Sequence, residues 1–246
     1  MADIKGLSGV SRRHLCQPFL LKLLLCIPPQ ASMCKTPFVF SVIVYMAKKY
    51  GEEENMTGKE LLIQQIEKYC PWNEQEERDK EQILSSLREQ ERIFFRDNVQ
   101  AHMTASAWII NPQRTKILMA YHNIYDSWSW LGGHADGETN LLAVALREVQ
   151  EESGITKVKP VMDTIYSLEV LTVDGHVKKG KYVSSHLHLN LTYLVEASEE
   201  ELLQMKPDEN SGVAWFELEE AVAASSEPWF RERIYSKLNE KLKKLT

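Results

Sequence analysis

The most informative segment of this 246-residue chain reads GGHADGETNLLAVALREVQEESGI, from Gly132 to Ile155. It opens with two glycines and a tight turn and then takes on a helical pattern. Thr139 and Asn140 are residue types that cap the N-terminus of a helix, and Gly154 is the type that ends one in a left-handed conformation. The sequence therefore predicts a helix between these signals.

One face of this predicted helix is acidic. At about 100° per residue, Glu148, Glu151 and Glu152 fall within one arc. The neighbouring arc is apolar and holds Leu142, Leu146 and Val149. We therefore expect the helix to bury one face in a core and to present three carboxylates on the adjacent face.

These three carboxylates repel one another, since like charges three or four residues apart destabilise a helix by about 0.2–0.5 kcal/mol per pair. Arg147 is the only cation among them. A solvated acidic face is the ordinary interpretation of such a charge run. A divalent cation is the alternative, because Mg²⁺ and Mn²⁺ prefer carboxylate oxygens and water and keep positions open for phosphate oxygens.

The residues around the carboxylates resemble the Nudix box, the signature of hydrolases of nucleoside diphosphates linked to another moiety. The family pattern is G-x5-E-x7-R-E-U-x-E-E-x-G-U, where U is a bulky aliphatic residue. Read from Gly133, the chain matches this spacing as far as Ile155. One position departs, because the first glutamate of the pattern falls on Thr139, with Glu138 one residue earlier.

The resemblance covers roughly residues 101–246 and implies a Nudix-type α/β/α sandwich with a mixed central sheet. It implies a hydrolase that uses Mg²⁺, or alternatively Mn²⁺, to cleave the pyrophosphate linkage of a nucleoside diphosphate derivative. Glu148, Glu151 and Glu152 would hold the metal. Arg147 would orient Glu151 or Glu152, or would pair with Glu138 as the family's box arginine usually does.

Residues next to the box are candidates for substrate binding. Gly133 lies in the glycine pair, and His134 is interpreted either as a loop residue or as a substrate contact. Trp128 and Trp130 alternate along a strand, so one is expected to pack in the core while the other borders the cleft. We assign Trp128 to the substrate.

The loop before the last predicted strand, Val213–Phe216, supplies a further candidate. In the family, a glutamate near this point often provides another metal ligand or the catalytic base, and Glu209 fits that resemblance. Glu152 is the alternative base. An exposed loop acid is the plain interpretation of Glu209.

A polar pattern marks the predicted strand Tyr182–Val195. His186, His188, Asn190 and Thr192 share one face by alternation. The two histidines can bind a metal, the face can line a cleft, or it can be ordinary sheet surface. Because no third ligand is readable at a recognisable spacing, these interpretations stay open.

Other strands and helices are predicted from local patterns. Strands are expected over 104–110, 116–121 and 163–173, a short helix over 199–204, and a C-terminal helix from Ser226 with an apolar stripe. The stripe comprises Phe230, Ile234, Leu238 and Leu242.

Composition divides the chain into three segments. Residues 1–45 hold three of the four cysteines and are expected to be an upstream extension of doubtful nativeness, a poorly ordered tail, or a targeting or interfacial segment. Residues 46–100 predict a helical pair over 56–70 and 73–93, opened by capping boxes and interpreted as a packing or dimer arm. Residues 101–246 form the Nudix domain.

Charge and cysteine content limit the partners. The net charge of −6 argues against a binder of nucleic-acid polymers, which needs a basic surface. No apolar run approaches the roughly 20 residues that span a membrane. With little cysteine after residue 45, a cytoplasmic location is expected. The expected partner is a small nucleotide or phosphorylated substrate, and a homodimer is compatible with the helical arm.

Two other functions compete with hydrolysis. A Nudix-fold sensor would bind a nucleotide without cutting it, but such domains often lose box carboxylates, and three are present here. Isopentenyl-diphosphate isomerases resemble this chain in their Gly-Gly-His loop but use an active-site cysteine, which residues 101–246 lack. The sequence does not specify which nucleoside diphosphate derivative is cleaved.

Overall fold

The computed structural model describes residues 56–178 and 180–245. They belong to the second of two units, Met1–Asn55 and Met56–Thr246, into which the chain divides. The interpretations of residues 1–45 lie outside the described residues. Within the described ranges, no helix combines the length and apolarity needed to cross a bilayer.

Two helices precede the sheet, as their capping signals predict. Helix α1 spans Gly58–Lys68 and α2 spans Glu74–Glu89. The Thr57 side chain accepts a hydrogen bond from the Glu60 backbone at 3.3 Å, and the Glu60 carboxylate accepts one from the Thr57 backbone at 2.7 Å. This reciprocal cap satisfies two backbone donors that a helix start otherwise leaves unpaired.

Eight strands within the described residues form one mixed sheet. They are β1 (Ala101–Ile110), β2 (Lys116–His122), β3 (Ser127–Ser129), β4 (Leu131–His134), β5 (Val158–Pro160), β6 (Ser167–Val173), β9 (His186–Ala197) and β10 (Asn210–Glu217). The order is β10-β2-β1-β9-β5, with β3 on β2, β4 on β1 and β6 on β9. β1 and β9 run parallel, and the other pairs are antiparallel. A separate hairpin joins β7 (His176–Lys178) and β8 (Lys181–Val183).

Helices cover both faces of this sheet, which gives the α/β/α sandwich. On one face, α1, α2 and the box helix α3 (Leu141–Ser153) share a core with alternate residues of β1, such as Met103 and Ala105. On the other face, Trp108 and Ile110 pack beneath the C-terminal helices. The predicted sandwich is confirmed. Successive side chains of β1 point to opposite faces of the sheet, and because helices cover both faces, the strand is buried along its whole length.

The C-terminal part contains α4 (Leu218–Ala224), a π-helical turn (Phe230–Tyr235) and α5 (Ser236–Lys244). Ile234, Leu238 and Leu242 of the predicted stripe are buried, whereas its fourth member, Phe230, is only partly buried. The short helix predicted over 199–204 is wrong, since this segment is irregular. Its glutamates bond elsewhere: the Glu199 carboxylate accepts from the Lys116 ammonium at 2.6 Å, which favours a turn over a regular helix.

The helical arm is part of the same core as the sheet. α2 buries Glu76, which joins Lys237 and Lys241 of α5 and Glu169 of β6 in a group that we call the ionic cluster. The Lys237 Nζ lies 3.0 Å from Oε1 of both Glu76 and Glu169, and the Lys241 Nζ lies 3.0 Å from Glu76 Oε1. The segment predicted as a separate arm is therefore tied to the far end of the domain by buried charges.

Candidate active site

Helix α3 begins and ends at the predicted signals. Asn140 is the N-cap, since its side-chain oxygen accepts a hydrogen bond from the Ala143 backbone at 3.2 Å, so Thr139 is not the cap. Gly154 ends the helix with φ of 73°, a left-handed conformation that costs glycine little. The buried apolar residues of α3 are Leu141, Val144, Ala145 and Val149, whereas Leu142 and Leu146 are only partly buried.

Two of the acids on α3 are buried together with its apolar residues. The helix is therefore rotated about its axis relative to the orientation that the sequence predicts. Glu148 is 9% exposed and Glu152 is 7% exposed. Together with Glu209, from the loop before β10, they form the carboxylate group, in which one oxygen from each residue lies within 4.8 Å of the others.

Glu151, which the sequence places among the metal ligands, lies outside the carboxylate group. It is exposed, and its carboxylate accepts from the Lys206 ammonium at 3.0 Å and lies 3.8 Å from Arg147 Nε. The structure brings Glu209 to the buried glutamates in its place. Lys206 also contacts the Glu209 carboxylate at 2.9 Å, so one lysine links the two exposed acids.

The buried acids are held in an environment that disfavours their charge. Burial raises the pKa of Glu152 well above its ordinary value, and repulsion from Glu148 and Glu209 adds to this. Burial also raises the pKa of Glu148, although Arg147 opposes the shift. A cation entering this group would relieve the repulsion that raises both values.

The glycine pair makes the close approach of these acids feasible. In the β1–β4 ladder, Gly133 lies opposite Ala105. A Cβ atom on Gly133 would lie only 2.5 Å from the carboxylate carbon of Glu148. The Glu148 side chain therefore lies directly against the strand backbone, in space that only glycine leaves free.

Arg147 contacts box residues. Its guanidinium donates to the Glu148 carboxylate at 3.0 Å and to the His134 carbonyl at 3.4 Å. The distance from Arg147 Nε to the Glu151 carboxylate is longer, at 3.8 Å. Within the described residues, Arg147 forms no ion pair with Glu138. The Glu138 carboxylate instead accepts from the Asn140 backbone N–H at 2.8 Å, which stabilises the helix start.

The helical arm positions the turn that leads into α3. Arg96, just after α2, makes a two-pronged ion pair with Asp136, and its Nε lies 2.7 Å from Asp136 Oδ1. The Gly137 backbone N–H donates to the Phe94 carbonyl at 2.9 Å. Nothing in the box pattern points to these partners, which lie about 40 residues earlier.

A cavity of about 410 Å³ opens beside the carboxylate group, and Glu148, Glu152 and Glu209 line it. Cations and aromatic rings line it as well: Arg96, Lys178, His122, Tyr125, Trp130 and Phe230. Trp130 lines this cavity and Trp128 is not among its lining residues, so the assignment of Trp128 to the substrate stays a prediction. Trp128 packs edge-on against Tyr121 and Phe216, with ring centroids 5.5 and 4.8 Å away.

The floor of the cavity is a polar stretch of β1 and β9. Because these strands are parallel and in register, Thr104 lies beside Asn190 and Ser106 beside Thr192. The Thr104 and Ser106 hydroxyls each donate to the Asn190 side-chain oxygen at 3.0 Å. Asn190 in turn donates to the buried Glu169 at 3.2 Å. The polar face predicted for β9 therefore lines the cleft.

Histidines occupy one end of this floor. We call His102 of β1 and His186 and His188 of β9 the histidine trio. His134 packs beside it, with ring centroids 5.0 Å from His102 and 4.8 Å from His188. Burial lowers the pKa of His102, lowers that of His188 to about 3 and lowers that of His134 strongly, so these rings are neutral at physiological pH.

Several solved structures are similar to part of the chain. Solved structures similar to the chain include a C. elegans Ap4A hydrolase in a binary complex, with 21% identity, TM-score 0.43, and coverage of 58% of this chain and 96% of that one. A NUDIX-family hydrolase from Clostridium perfringens has 19% identity, TM-score 0.43, and coverage of 59% and 98%. A MutT protein from Methanosarcina mazei has 18% identity, TM-score 0.41, and coverage of 58% and 95%. No curated protein sequence matches the chain.

The family model for the NUDIX domain matches residues 100–238, which include the glycine pair, α3 and the loop that carries Glu209. The matched residues make up more than half of the chain. The chain therefore belongs to the Nudix family, whose members are hydrolases acting on phosphorus-containing anhydrides.

Proposed function

We propose that this protein hydrolyses the pyrophosphate linkage of a nucleoside diphosphate joined to another moiety, with Mg²⁺ held by Glu148 and Glu152. The observation that carries the proposal is the pair of buried carboxylates at the cavity. Within the described residues, Glu152 makes no ion pair, and a cation bound beside it would balance the charge of its ionised form.

The donor set suits a hard divalent cation. Three carboxylates converge, and Mg²⁺ prefers oxygen ligands while keeping waters and phosphate oxygens in its remaining positions. Mn²⁺ suits the same ligands. When bound, the ion would neutralise charge that develops on the phosphate and lower the pKa of a coordinated water. Gly133 leaves the space in which Glu148 can turn towards such an ion.

We assign the proton acceptor to Glu209. Its carboxylate is the most exposed of the carboxylate group, at 39%, and Lys206 lies 2.9 Å away. A carboxylate within hydrogen-bond reach of a water can accept a proton from it. Glu152 is the alternative, because its carboxylate belongs to the same carboxylate group.

The cavity offers separate regions for the two parts of such a substrate. Arg96 and Lys178 supply positive charge to phosphate oxygens. Tyr125, Trp130 and Phe230 supply aromatic surface on which a base can stack. A volume of about 410 Å³ lies in the range of ordinary ligand pockets. Arg147 would position Glu148 through their 3.0 Å contact.

A panel of nucleotides tests the activity directly. Nucleoside diphosphate sugars, dinucleoside polyphosphates, oxidised nucleotides and coenzyme-type dinucleotides would be incubated with Mg²⁺, and phosphate would be measured after phosphatase treatment. We expect turnover of one class and its loss on chelation. Glu148→Gln controls for contaminating enzymes. Nucleotide binding without turnover across the panel would favour the sensor, the other class of function that the fold allows.

Glu209→Gln tests the base. We expect a large fall in kcat with little change in KM, and partial recovery as the pH rises, since hydroxide then replaces the assisted water. Asp208→Asn, beside it in the same loop, is the matched comparison. A wild-type kcat in Glu209→Gln would move the role to Glu152. A cytoplasmic location and a homodimer stay predictions from the sequence.

A further inference from the structure

We propose that the histidine trio, His102, His186 and His188, is a second metal site that binds a divalent transition-metal ion of the zinc class. Its ligands are nitrogens, whereas the carboxylate group offers only oxygens. The site is separate from the proposed function and does not depend on it.

The fold supplies the third ligand that the sequence spacing does not reveal. His186 and His188 share a face of β9, and the parallel register places His102 of β1 directly beside His188. The ring centroids are 4.9, 5.0 and 5.1 Å apart, so the trio is nearly an equilateral triangle. One nitrogen from each ring lies within 4.8 Å of the other two.

The outer hydrogen bonds select the nitrogens that face one another. The Nδ1 of His102 lies 3.1 Å from the Asn98 carbonyl, and the Nδ1 of His186 lies 2.8 Å from the Ser184 carbonyl. A carbonyl only accepts, so Nδ1 carries the proton in each ring and the Nε2 lone pair is available. Metal-bound histidines are commonly fixed in this way.

The Nε2 lone pair of His102 lacks a partner, whereas the Nε2 atoms of His186 and His188 lie at hydrogen-bond distance from each other. His102 is 4% exposed, and its Nε2 is buried without a hydrogen-bond partner. A buried polar atom left unpaired costs about 1–3 kcal/mol. The Nε2 atoms of His186 and His188 lie 3.3 Å apart. A tetrahedral Zn²⁺ with Zn–N bonds of about 2.0–2.1 Å holds its nitrogens at about this separation.

The electrostatics permit a cation here. Metals bind the neutral form of imidazole, and the Nδ1 contacts of His102 and His186 with backbone carbonyls leave Nε2 of each ring as the ligand atom. Arg96, whose charge reaches His102, is itself paired with Asp136. Imidazole ligands favour Zn²⁺, Cu²⁺ and Ni²⁺ over Mg²⁺. His188 also lines the cavity, so an ion held here would add positive charge to its wall.

Calorimetric titration of the metal-free, untagged full chain with Zn²⁺ tests the site, with excess Mg²⁺ present to occupy the carboxylate group. We expect one zinc ion per chain. His186→Asn and His188→Asn should each weaken binding by about 100-fold or more, because each removes a ligand of a three-nitrogen set. His176→Asn is the matched control, since its ring is 6.4 Å from His186 but lies outside the trio.

Two further measurements keep the result decisive. Glu152→Gln should bind zinc as the wild type does, which separates the trio from the carboxylate group. In the unsubstituted protein, imidazole ¹⁵N shifts on adding zinc should move for the trio and not for His176, even if a variant folds poorly. Absence of zinc binding to the wild type, equal binding by the His186→Asn and His188→Asn variants, or loss of binding in Glu152→Gln would overturn the proposal.

Discussion

The ionic cluster and the carboxylate group are both built on buried acids, but they balance their charge in opposite ways. In the ionic cluster, burial alone would raise the pKa of Glu76, yet Lys237 and Lys241 with hydrogen bonds from Tyr69 and the Trp72 backbone lower it to about 2. The acids and their counter-ions belong to the same chain. The cluster is therefore complete without any ligand.

The carboxylate group is incomplete by the same standard. Burial and repulsion from the neighbouring acids raise the pKa of Glu152. Among the ion pairs of the described residues, Lys206 contacts Glu151 and Glu209 and neither of the two buried acids. The difference teaches how to distinguish structural from functional acids. Both regions contain buried acids. They differ in whether lysines of the same chain form ion pairs with those acids.

The largest expected effect is a loss of stability in the ionic cluster. Glu76→Gln removes the carboxylate that two buried lysines contact, and breaking a buried pair costs about 3–5 kcal/mol. Urea unfolding should show this loss. Glu77→Gln, an exposed neighbour on the same helix, is the control. Equal unfolding midpoints for the two variants would mean that the cluster contributes little.

The carboxylate group should show the reverse pattern. Glu152→Gln should lower Mg²⁺-dependent turnover by at least about 100-fold, equivalent to about 2.7 kcal/mol of transition-state stabilisation. Its stability without metal should hold or rise, because the change removes a buried charge. Glu240→Gln, an exposed acid of α5, is the control. Full turnover in Glu152→Gln would exclude it as a metal ligand.

The pH dependence of stability sharpens the comparison, since the two acids shift in opposite directions. The pKa of Glu152 is higher in the folded protein than in the unfolded chain. Its contribution to the free energy of unfolding is therefore fully present below the pKa of the unfolded chain and is lost as the pH rises through the pKa of the folded protein. The lowered pKa of Glu76 gives stability that is present above its unfolded pKa and is lost as the pH falls towards about 2.

Metal-free wild type should therefore lose stability relative to Glu152→Gln as the pH rises from about 5 to about 8. Subtracting the free energy of unfolding of Glu152→Gln from that of the wild type at each pH removes the contributions that the two proteins share. Excess Mg²⁺ should abolish or reverse the trend, because a bound ion stabilises the charged form. A difference that stays constant with pH would contradict the assigned shift of Glu152.

The smallest expected effect tests how the box helix begins. Asn140→Ala should cost about 1 kcal/mol of stability, the usual value for a lost N-cap. Thr139→Ala should cost less, because Thr139 does not cap the helix. Thermal unfolding of both variants checks this. A larger loss in Thr139→Ala would show that the cap is at Thr139.

Local chemistry explains what the sequence predicts well. Helix caps and ends, such as those at Thr57 and Gly154, depend on residues a few positions away, and the alternation of β9 needs only that strand. The box motif adds the family and the α/β/α sandwich. These features were accessible because each depends on neighbours in the chain or on a long spacing pattern.

Contacts between distant segments explain the rest. His102 lies beside His188 only because β1 and β9 pair in parallel, although the two residues are 86 positions apart in the chain. Arg96 reaches Asp136 from the helical arm, 40 residues away. The position of Glu151 outside the carboxylate group, and of Trp130 at the cavity wall, depends on how α3 and the strands are rotated in the core. Sequence periodicity leaves that rotation undetermined.

The ionic cluster also imposes an order on biosynthesis. Lys241 is made 165 residues after Glu76, the acid that it contacts. While the ribosome is still adding the intervening residues, α2 and β6 cannot bury their glutamates against their final counter-ions. In a nascent chain that already contains α3, Glu76 and Glu169 therefore lack these lysine partners until α5 has been synthesised.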